Sequence, residues 1–300
     1  AGGTQIVTAG RDRTARRWNA ADGSPLMTYR EGHAFLSRSV QALPDGLRMV
    51  TAAVDGTARL WDIVDGRELR SFGACGRSGV LAVSPDGQWI ATGNEDLGLT
   101  LRHVVDQREL PLSGGHERLP TTVAFSTDGH HLASGDENGR VVIWSLDLDS
   151  DQPKSVAEPR LLKRHTDRIE SLLWLSEGTL ISAGSDRIAI RWTPLVNAEP
   201  VILPHPDEVA DVVRLNPDRW VSVTRNGVVS VWSDTRDEPL QQVALDSLTA
   251  STDADTRKAG RRISEMAIAA DGRCVLLDEG RSRLEWLELN GDSIVRIDTD

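Results

Sequence analysis

The residue types that perform acid–base or metal chemistry are present, but their spacing does not assemble them. The chain of 300 residues holds 7 His, 2 Cys and 45 Asp and Glu. A catalytic metal or a tuned base needs such groups to converge from several elements. No HExxH, no GxSxG and no glycine-rich phosphate loop occurs in the sequence. His130 and His131 follow Thr127-Asp128-Gly129 and fall in a turn. Cys75 and Cys274 form neither a CxxC pair nor a disulfide framework. That fits a reducing cytosol and a cytoplasmic protein, although a disulfide-free secreted chain would look the same. The side chain that is over-used is Trp, with 9 against 3 Phe and 1 Tyr, so Trp fills one recurring position.

Charge narrows the partners. A formal net charge of −11 and a pI near 5.2 oppose a phosphate-tracking nucleic-acid binder and an anionic membrane surface. No apolar run approaches the ~18–20 residues of a membrane-spanning helix. The sequence starts at Ala1 without Met, and a fragment of a longer polypeptide is expected.

The tryptophans set a period. Trp18, Trp61, Trp144, Trp192, Trp232 and Trp286, with His103 at the matching point of one segment, are separated by 43, 42, 41, 48, 40 and 54 residues. Each unit starts with an alternating apolar run that ends in a turn such as Leu43-Pro44-Asp45-Gly46, Ser84-Pro85-Asp86-Gly87 or Ser126-Thr127-Asp128-Gly129. Pro presets φ and Gly accepts positive φ, so these are tight turns. A second short strand follows, then an acidic or amide turn, then a third strand ending at the Trp, as in Thr57-Ala58-Arg59-Leu60-Trp61. Asp22-Gly23 and Asp65-Gly66 lead into a fourth, outer strand. Four strand-like pieces repeating every 40–45 residues are the pattern of a β-propeller.

These residues resemble the WD-repeat family along essentially the whole chain. Trp61-Asp62 keeps the dipeptide itself, and Gly32-His33 and Gly115-His116 match the Gly-His that opens a repeat, with His165 and His205 lacking the Gly. The resemblance implies an all-β, seven-bladed propeller of four-stranded antiparallel blades, one domain over residues 1–300. Its first blade lacks the innermost strand, which is expected upstream with further domains of the same polypeptide. It also implies a structural tetrad of His, Ser or Thr, Asp and Trp in each blade. The sets fall at His33, Thr51, Asp55, Trp61; at His165, Ser182, Asp186, Trp192; and, with Asn for Asp, at His116, Ser134, Asn138, Trp144 and His205, Ser222, Asn226, Trp232. A buried Trp N–H and a buried imidazole must each find a partner, so these histidines are structural rather than catalytic. The third blade departs, with His103 for Trp and Cys75 near the His position, and the seventh lacks both His and Asp.

By register, the residue before each turn Asp and those flanking the first apolar residue of each inner strand project around the central channel. That ring holds Arg11, Leu36, Arg38, Arg77, Glu95, Glu137, Arg168, Glu170, Glu208, Arg225 and Arg262. Arg225, Arg262, Arg11, Arg38 and Arg77 form a basic arc over blades six to three, and Glu95, Glu137, Glu170 and Glu208 an acidic one over blades three to six. A divided ring suits a partner protein or peptide with both an acidic and a basic segment. Polar insertions at 145–160 and 246–261 read as mobile loops. The expected function is a non-catalytic protein-interaction scaffold, without cofactor or metal. The alternatives are the sensor or autoinhibitory module of a larger bacterial signalling protein, fused to a nucleotide switch, kinase or protease, and an enzymatic propeller. Lys occurs only at 154, 163 and 258, an Arg bias that points to a GC-rich, bacterial genome.

Overall fold

The computed structural model describes residues 5–9, 14–20, 22–29, 33, 37–150, 152–175, 178–196, 198–245, 263–268, 273–278, 283–290 and 293–297. They are all β-strand and turn, apart from single-residue 3₁₀ assignments. The chain divides into two compact units, Ala1–Ile169 and Glu170–Asp300.

In the first unit, the first sheet contains β1 (Gln5–Ala9), β2 (Ala15–Asn19) and β3 (Pro25–Tyr29). The second contains β4 (Ser37–Ala42), β5 (Arg48–Ala53), β6 (Ala58–Asp62) and β7 (Glu68–Phe72). The third contains β8 (Leu81–Val83), β9 (Trp89–Gly93), β10 (Leu99–His103) and β11 (Glu109–Leu112). The fourth contains β12 (Pro120–Phe125), β13 (His131–Asp136), β14 (Arg140–Asp147) and β16 (Arg160–Lys163), with the short β15 (Lys154–Ser155) beside the far end of β14.

The fifth sheet contains β17 (Ile169–Trp174), β18 (Leu180–Gly184), β19 (Ile188–Trp192) and β20 (Val201–Pro204). The sixth contains β21 (Val209–Asn216), β22 (Arg219–Thr224), β23 (Val228–Ser233) and β24 (Gln241–Ala244). The seventh contains β25 (Ile263–Ile268), β26 (Arg273–Asp278), β27 (Arg283–Asn290) and β28 (Ser293–Ile297). Every sheet is an antiparallel meander, each strand bonded to its neighbour in sequence, apart from the β15 insertion.

The seven-bladed expectation is corrected by this topology: the structure has six blades, the second to seventh sheets, each with a four-strand meander. The β1–β3 sheet stops at three strands. The reason lies in the pairing: among the described residues β1 is bonded to β2 alone, whereas β5, its counterpart in the second sheet, is bonded on both sides. Residues 145–160, expected as a loop, instead lengthen β14 and fold back as β15 through Leu146↔Ser155 and Asp147↔Lys154. The second insertion, 246–261, lies outside the described residues.

The turns behave as their residues require. In the second, third and fourth sheets Gly46, Gly87 and Gly129 take φ of 68°, 70° and 74°. Their amides donate to Leu43, Ser84 and Ser126 carbonyls at 3.0, 2.8 and 3.0 Å. The Asp before each Gly accepts a backbone N–H two residues on, at 2.8, 2.9 and 2.9 Å. Second strands are the most buried: β9 and β18 have no exposed residue, whereas β7 and β11 bury only their last residue. Their apolar residues are clamped between sheets. Val80, Trp89 and Leu101 meet Val123, Leu132 and Trp144 in the first unit, and Val221 and Val231 meet Met266 and Leu276 in the second.

Candidate functional site

The polar residues that recur with the repeat are drawn inward. In the second sheet Trp61 Nε1 donates to Thr51 Oγ1 at 2.8 Å, and that hydroxyl lies 2.8 Å from His33 Nε2. The Asp55 carboxylate can only accept, so His33 carries its proton on Nδ1, and its bare Nε2 accepts from the Thr51 hydroxyl, whose lone pair takes the indole N–H. Nδ1 then faces Asp55 Oδ2 at 3.2 Å and Thr57 Oγ1 at 3.1 Å. Burial pushes the His33 pKa down, against the raising pull of Asp55, and the ring stays neutral. This is a closed internal circuit, with the side chains of His33 and Asp55 3% and 7% exposed.

The fourth sheet repeats the circuit with one substitution. Trp144 Nε1 donates to Ser134 Oγ at 3.0 Å, and His116 Nε2 lies 2.6 Å from the same oxygen. The acid that receives His116 Nδ1 is Asp136, at 3.1 Å, and not Asn138. Asn138 is exposed and contributes only its backbone N–H, which donates to Asp136 Oδ1 at 2.8 Å, as does Arg140 N at 3.0 Å. Asp136 sits two residues past the serine, still on β13, where the strand aims its carboxylate inward; Asn138 is already in the turn. Burial alone would raise the Asp136 pKa, but the bonds from His116, Arg140 and Asn138 outweigh it and hold the carboxyl below its ordinary value.

In the sixth sheet Trp232 Nε1 and His205 Nε2 both lie 2.8 Å from Ser222 Oγ. Asn226 again does not join. His205 Nδ1 donates to the Leu203 carbonyl at 3.0 Å, while Asn226 Oδ1 accepts from Thr224 Oγ1 at 2.6 Å within its own turn. Burial lowers the His205 pKa, against the raising effect of Leu203. In the fifth sheet Trp192 Nε1 donates to Ser182 Oγ at 2.8 Å. Asp186 is half-buried and His165 is buried. The Trp286 side chain lies outside the described residues.

Two members of the pattern escaped the sequence reading. Trp18 Nε1 donates to Thr8 Oγ1 at 2.9 Å, so β1 and β2 are the second and third strands of a repeat. In the third sheet the position of the Trp is taken by Arg102, not His103. Arg102 pairs with Ile90 as Trp61 pairs with Met49, and His103 is displaced one residue to the other face. Buried Arg102 donates from Nη1 to Thr92 Oγ1 at 2.6 Å, from Nη2 to the Ala74 carbonyl at 3.2 Å and from Nε to Glu109 Oε1 at 3.0 Å. Cys75 fills the His position, its amide donating to Gly56 O as His205 N donates to Arg187 O. Burial pushes the Cys75 thiol up, against Arg102. The turn is made by Asn94, which accepts from Asp96 N and Gly98 N at 3.0 and 2.9 Å. The constant spacing of ten residues from hydroxyl to Trp would have found both Thr8 and Arg102.

The expected ring is divided differently from the two arcs. Arg11, Leu36 and Arg262 lie outside the described residues. In the first unit Arg38, Arg77, Glu95 and Glu137 are exposed, and Arg168 Nη1 reaches Glu137 Oε1 at 3.4 Å. In the second unit Arg225 is ion-paired with two acids of the expected ring. Its guanidinium sits between Glu170, 2.9 Å from Nη2, and Glu208, 2.9 Å from Nε. Ser185 donates to the same Glu170 oxygen at 2.8 Å. Opposite charges on the neighbouring fifth and sixth sheets thus neutralise one another locally.

A further acid, Asp211, is half-buried on β21 and was not singled out. It accepts from Ser171 Oγ at 2.7 Å, Val212 N at 2.8 Å and Met266 N at 2.9 Å, joining the innermost strands of three consecutive sheets. Burial drives its pKa up to about 6, against those three bonds. Among the described residues no cluster of three or more His, Cys, Asp or Glu is placed to hold a metal ion.

Comparison with known proteins agrees with this geometry. Residues 23–62, 66–98 and 108–145 match the family described as WD domain, G-beta repeat. The Set1 complex component swd1 of Schizosaccharomyces pombe is 40% identical over 82 residues, 27% of this chain and 18% of that protein. WD repeat-containing protein 1-B of Xenopus laevis is 32% identical over 114 residues, 38% of this chain and 18% of that protein. Protein HIR1 of Kluyveromyces lactis is 30% identical over 137 residues, 37% of this chain and 16% of that protein. The chain thus spans under a fifth of the length of these curated relatives. The crystal structure of RRP9 WD40 repeats has a TM-score of 0.76 at 18% identity, covering 97% of this chain and 85% of that one. The structure of U3-55K has a TM-score of 0.75 at 18% identity, covering 89% and 82%. These likenesses show WD-type repeats within residues 23–145 and an all-β WD40 propeller fold of four-stranded antiparallel blades.

Proposed function

We propose that the chain is a non-catalytic scaffold that binds a partner protein through Arg38, at the start of β4, and the strand-end loops carrying Arg77, Glu95 and Glu137. The observation that supports this reading is where the reactive side chains go. His33, His116 and His205, with their hydroxyls and acids, are consumed in buried circuits that hold the sheets. What remains outward on the first unit are exposed Arg38 and Arg77, whose planar guanidinium groups suit a partner's carboxylates. The printed name of the swd1 relative makes that protein a component of a complex, which accords with the reading.

The test is affinity capture from cell lysate with the chain and with its Arg38→Glu/Arg77→Glu variant. A protein retained by the first and lost by the second supports the assignment. Identical capture by both overturns this binding face. A histidine-dependent turnover of any substrate would overturn the non-catalytic role.

A further inference from the structure

The third sheet departs from the others at the entry to its innermost strand. β8 has three residues, whereas β4, β12, β17 and β25 have six each. Residues 73–80, between β7 and β8, form a loop instead. Its φ is positive at Ala74, Gly76 and Gly79, at 52°, 63° and 66°, and at none of the residues between them. Such alternation turns successive backbone N–H groups to one side, the geometry in which loops hold anions.

The donors of this loop are unspent. Gly76, Ser78 and Gly79 are buried, and among the described residues nothing accepts from the amides of Gly76, Arg77, Ser78 or Gly79. The seventh sheet shows the ordinary arrangement. Met266 pairs with Leu276 as Leu81 pairs with Thr92, and Leu276 and Thr92 each stand ten residues before the Trp position. Ile263 is therefore the counterpart of Ser78, and its amide donates to the Arg225 carbonyl at 3.0 Å. The Ser78 hydroxyl has no partner either, although the residue is only 4% exposed. It rests against Gly93, where an added methyl group would collide with it. Buried donors without acceptors cost stability, and a ligand that accepts from them recovers it.

Charge selects the ligand. Arg77 is exposed and, among the described residues, bonded to no acid or carbonyl. Arg38 lies alongside: a methyl group added to Gly79 would come within 2.8 Å of Arg38 Cβ and 3.2 Å of its Cδ, so that side chain runs along the loop. The opposing charges are exposed Glu95 and Asp96, on the turn whose Asn94 carbonyl packs on Gly76. We propose that residues 76–79 bind an oxyanion, the carboxylate or phosphate group of a partner protein, on their free amides, with Arg77 beside it. The Ser78 hydroxyl has no bond to give up, so rotation about χ1 turns it from Gly93 to the anion. The inference rests on the binding face proposed above and names the chemical group recognised there.

The probes are sodium phosphate and sodium acetate, each titrated at constant ionic strength into the isotope-labelled chain, with the amide NMR shifts of residues 76–79 as the readout. Saturable shifts at these amides are expected; tighter binding of phosphate assigns a phosphate group, and tighter binding of acetate a carboxylate. Ser78→Ala and Arg77→Gln should each weaken binding at least fivefold. Glu95→Gln, which removes an exposed acid beside the loop, should tighten it. As a surface change, Glu95→Gln leaves the fold intact and keeps the test decisive where Ser78→Ala disturbs the loop. The absence of saturable shifts, as when water alone satisfies these amides, overturns the proposal. So does binding that neither Ser78→Ala nor Glu95→Gln alters. A captured partner lost by the Arg38→Glu/Arg77→Glu variant, together with flat anion titrations, keeps the binding face and removes this site.

Discussion

Replacing Asp136 with Ala tests the internal circuit at its least obvious member. The carboxylate is fully buried and accepts three hydrogen bonds: one from His116 Nδ1 at 3.1 Å, and two from the Asn138 and Arg140 amides at 2.8 and 3.0 Å. Its loss leaves the imidazole N–H with no acceptor in a site where neither His116 nor Asp136 shows side-chain exposure. One bond to a charged group is worth about 1.5–3 kcal/mol, and the two turn amides, nearer solvent, add about 1 kcal/mol after rehydration. The expected cost is therefore about 2.5–4 kcal/mol. Asn138→Ala removes an exposed amide group and should stay within about 0.5 kcal/mol of the parent. Urea unfolding followed by tryptophan fluorescence, with the m-value checked for constancy, measures both. The carboxyl has a folded pKa below its unfolded value of 3.8, so its contribution is complete above 3.8 and is lost as pH falls through the lower folded value. The cost of Asp136→Ala should therefore shrink below that pH. An Asn138→Ala variant as unstable as Asp136→Ala would refute the assignment and return the acid's role to the turn.

Arg102→Met should cost about 1.5–3 kcal/mol in the same assay, because it removes the charged bond to the buried Thr92 hydroxyl; a neutral result would show that Arg102 is only space-filling. Trp144→Ala should cost about 3–5 kcal/mol by opening a cavity between the third and fourth sheets, and a shift under 1 kcal/mol in the unfolding midpoint, on the scale of surface changes, would contradict that packing. Buried His33 and His205 have folded pKa values below the ordinary 6.5. Their stabilisation is complete above 6.5 and falls as pH drops toward the folded values, so a double Gln variant should show a flatter melting-temperature profile from pH 7.5 to about 5. Asp211 acts with the opposite sign: its pKa rises from 3.8 to about 6, so the fold loses about 3 kcal/mol from this group as pH climbs through that window. The stability difference between the parent and Asp211→Asn should change by that amount between pH 4 and 7, and a constant difference would argue that the three hydrogen bonds keep the acid ionised throughout.

The repeat was legible because its signals are local. The Pro-Asp-Gly and Thr-Asp-Gly turns need only Gly at positive φ and an Asp to accept an amide two residues on, and both requirements are met within four residues. The Thr51–Trp61, Ser134–Trp144, Ser182–Trp192 and Ser222–Trp232 pairs lie ten residues apart on adjacent strands of one hairpin, so one spacing identifies them all. That same spacing, applied to Thr92, would have selected Arg102; the expectation of His103 came from matching an aromatic ring to an aromatic ring.

Tertiary structure decided what depends on register between distant strands. Asp136 and Asn138 are two residues apart and share chemistry, but β13 ends between them, so one carboxylate is aimed at His116 twenty residues away and the other side chain at solvent. Arg225 was placed with distant arginines by its blade number, yet Glu170 and Glu208 lie against it because the loops of neighbouring sheets converge. Asp211 gives no sign in sequence of its bond to Met266, 55 residues on. The number of complete blades was likewise settled by pairing: a Trp every forty-odd residues counts third strands, and β2 carries its Trp whether or not a fourth strand is there to finish the sheet. Local sequence therefore determined the turns, the strand period and the hydroxyl–Trp bonds, since each is satisfied within one hairpin. Which acid completes a circuit and which charges cancel required the folded chain, since those interactions are set by strand register and by the approach of one sheet to the next.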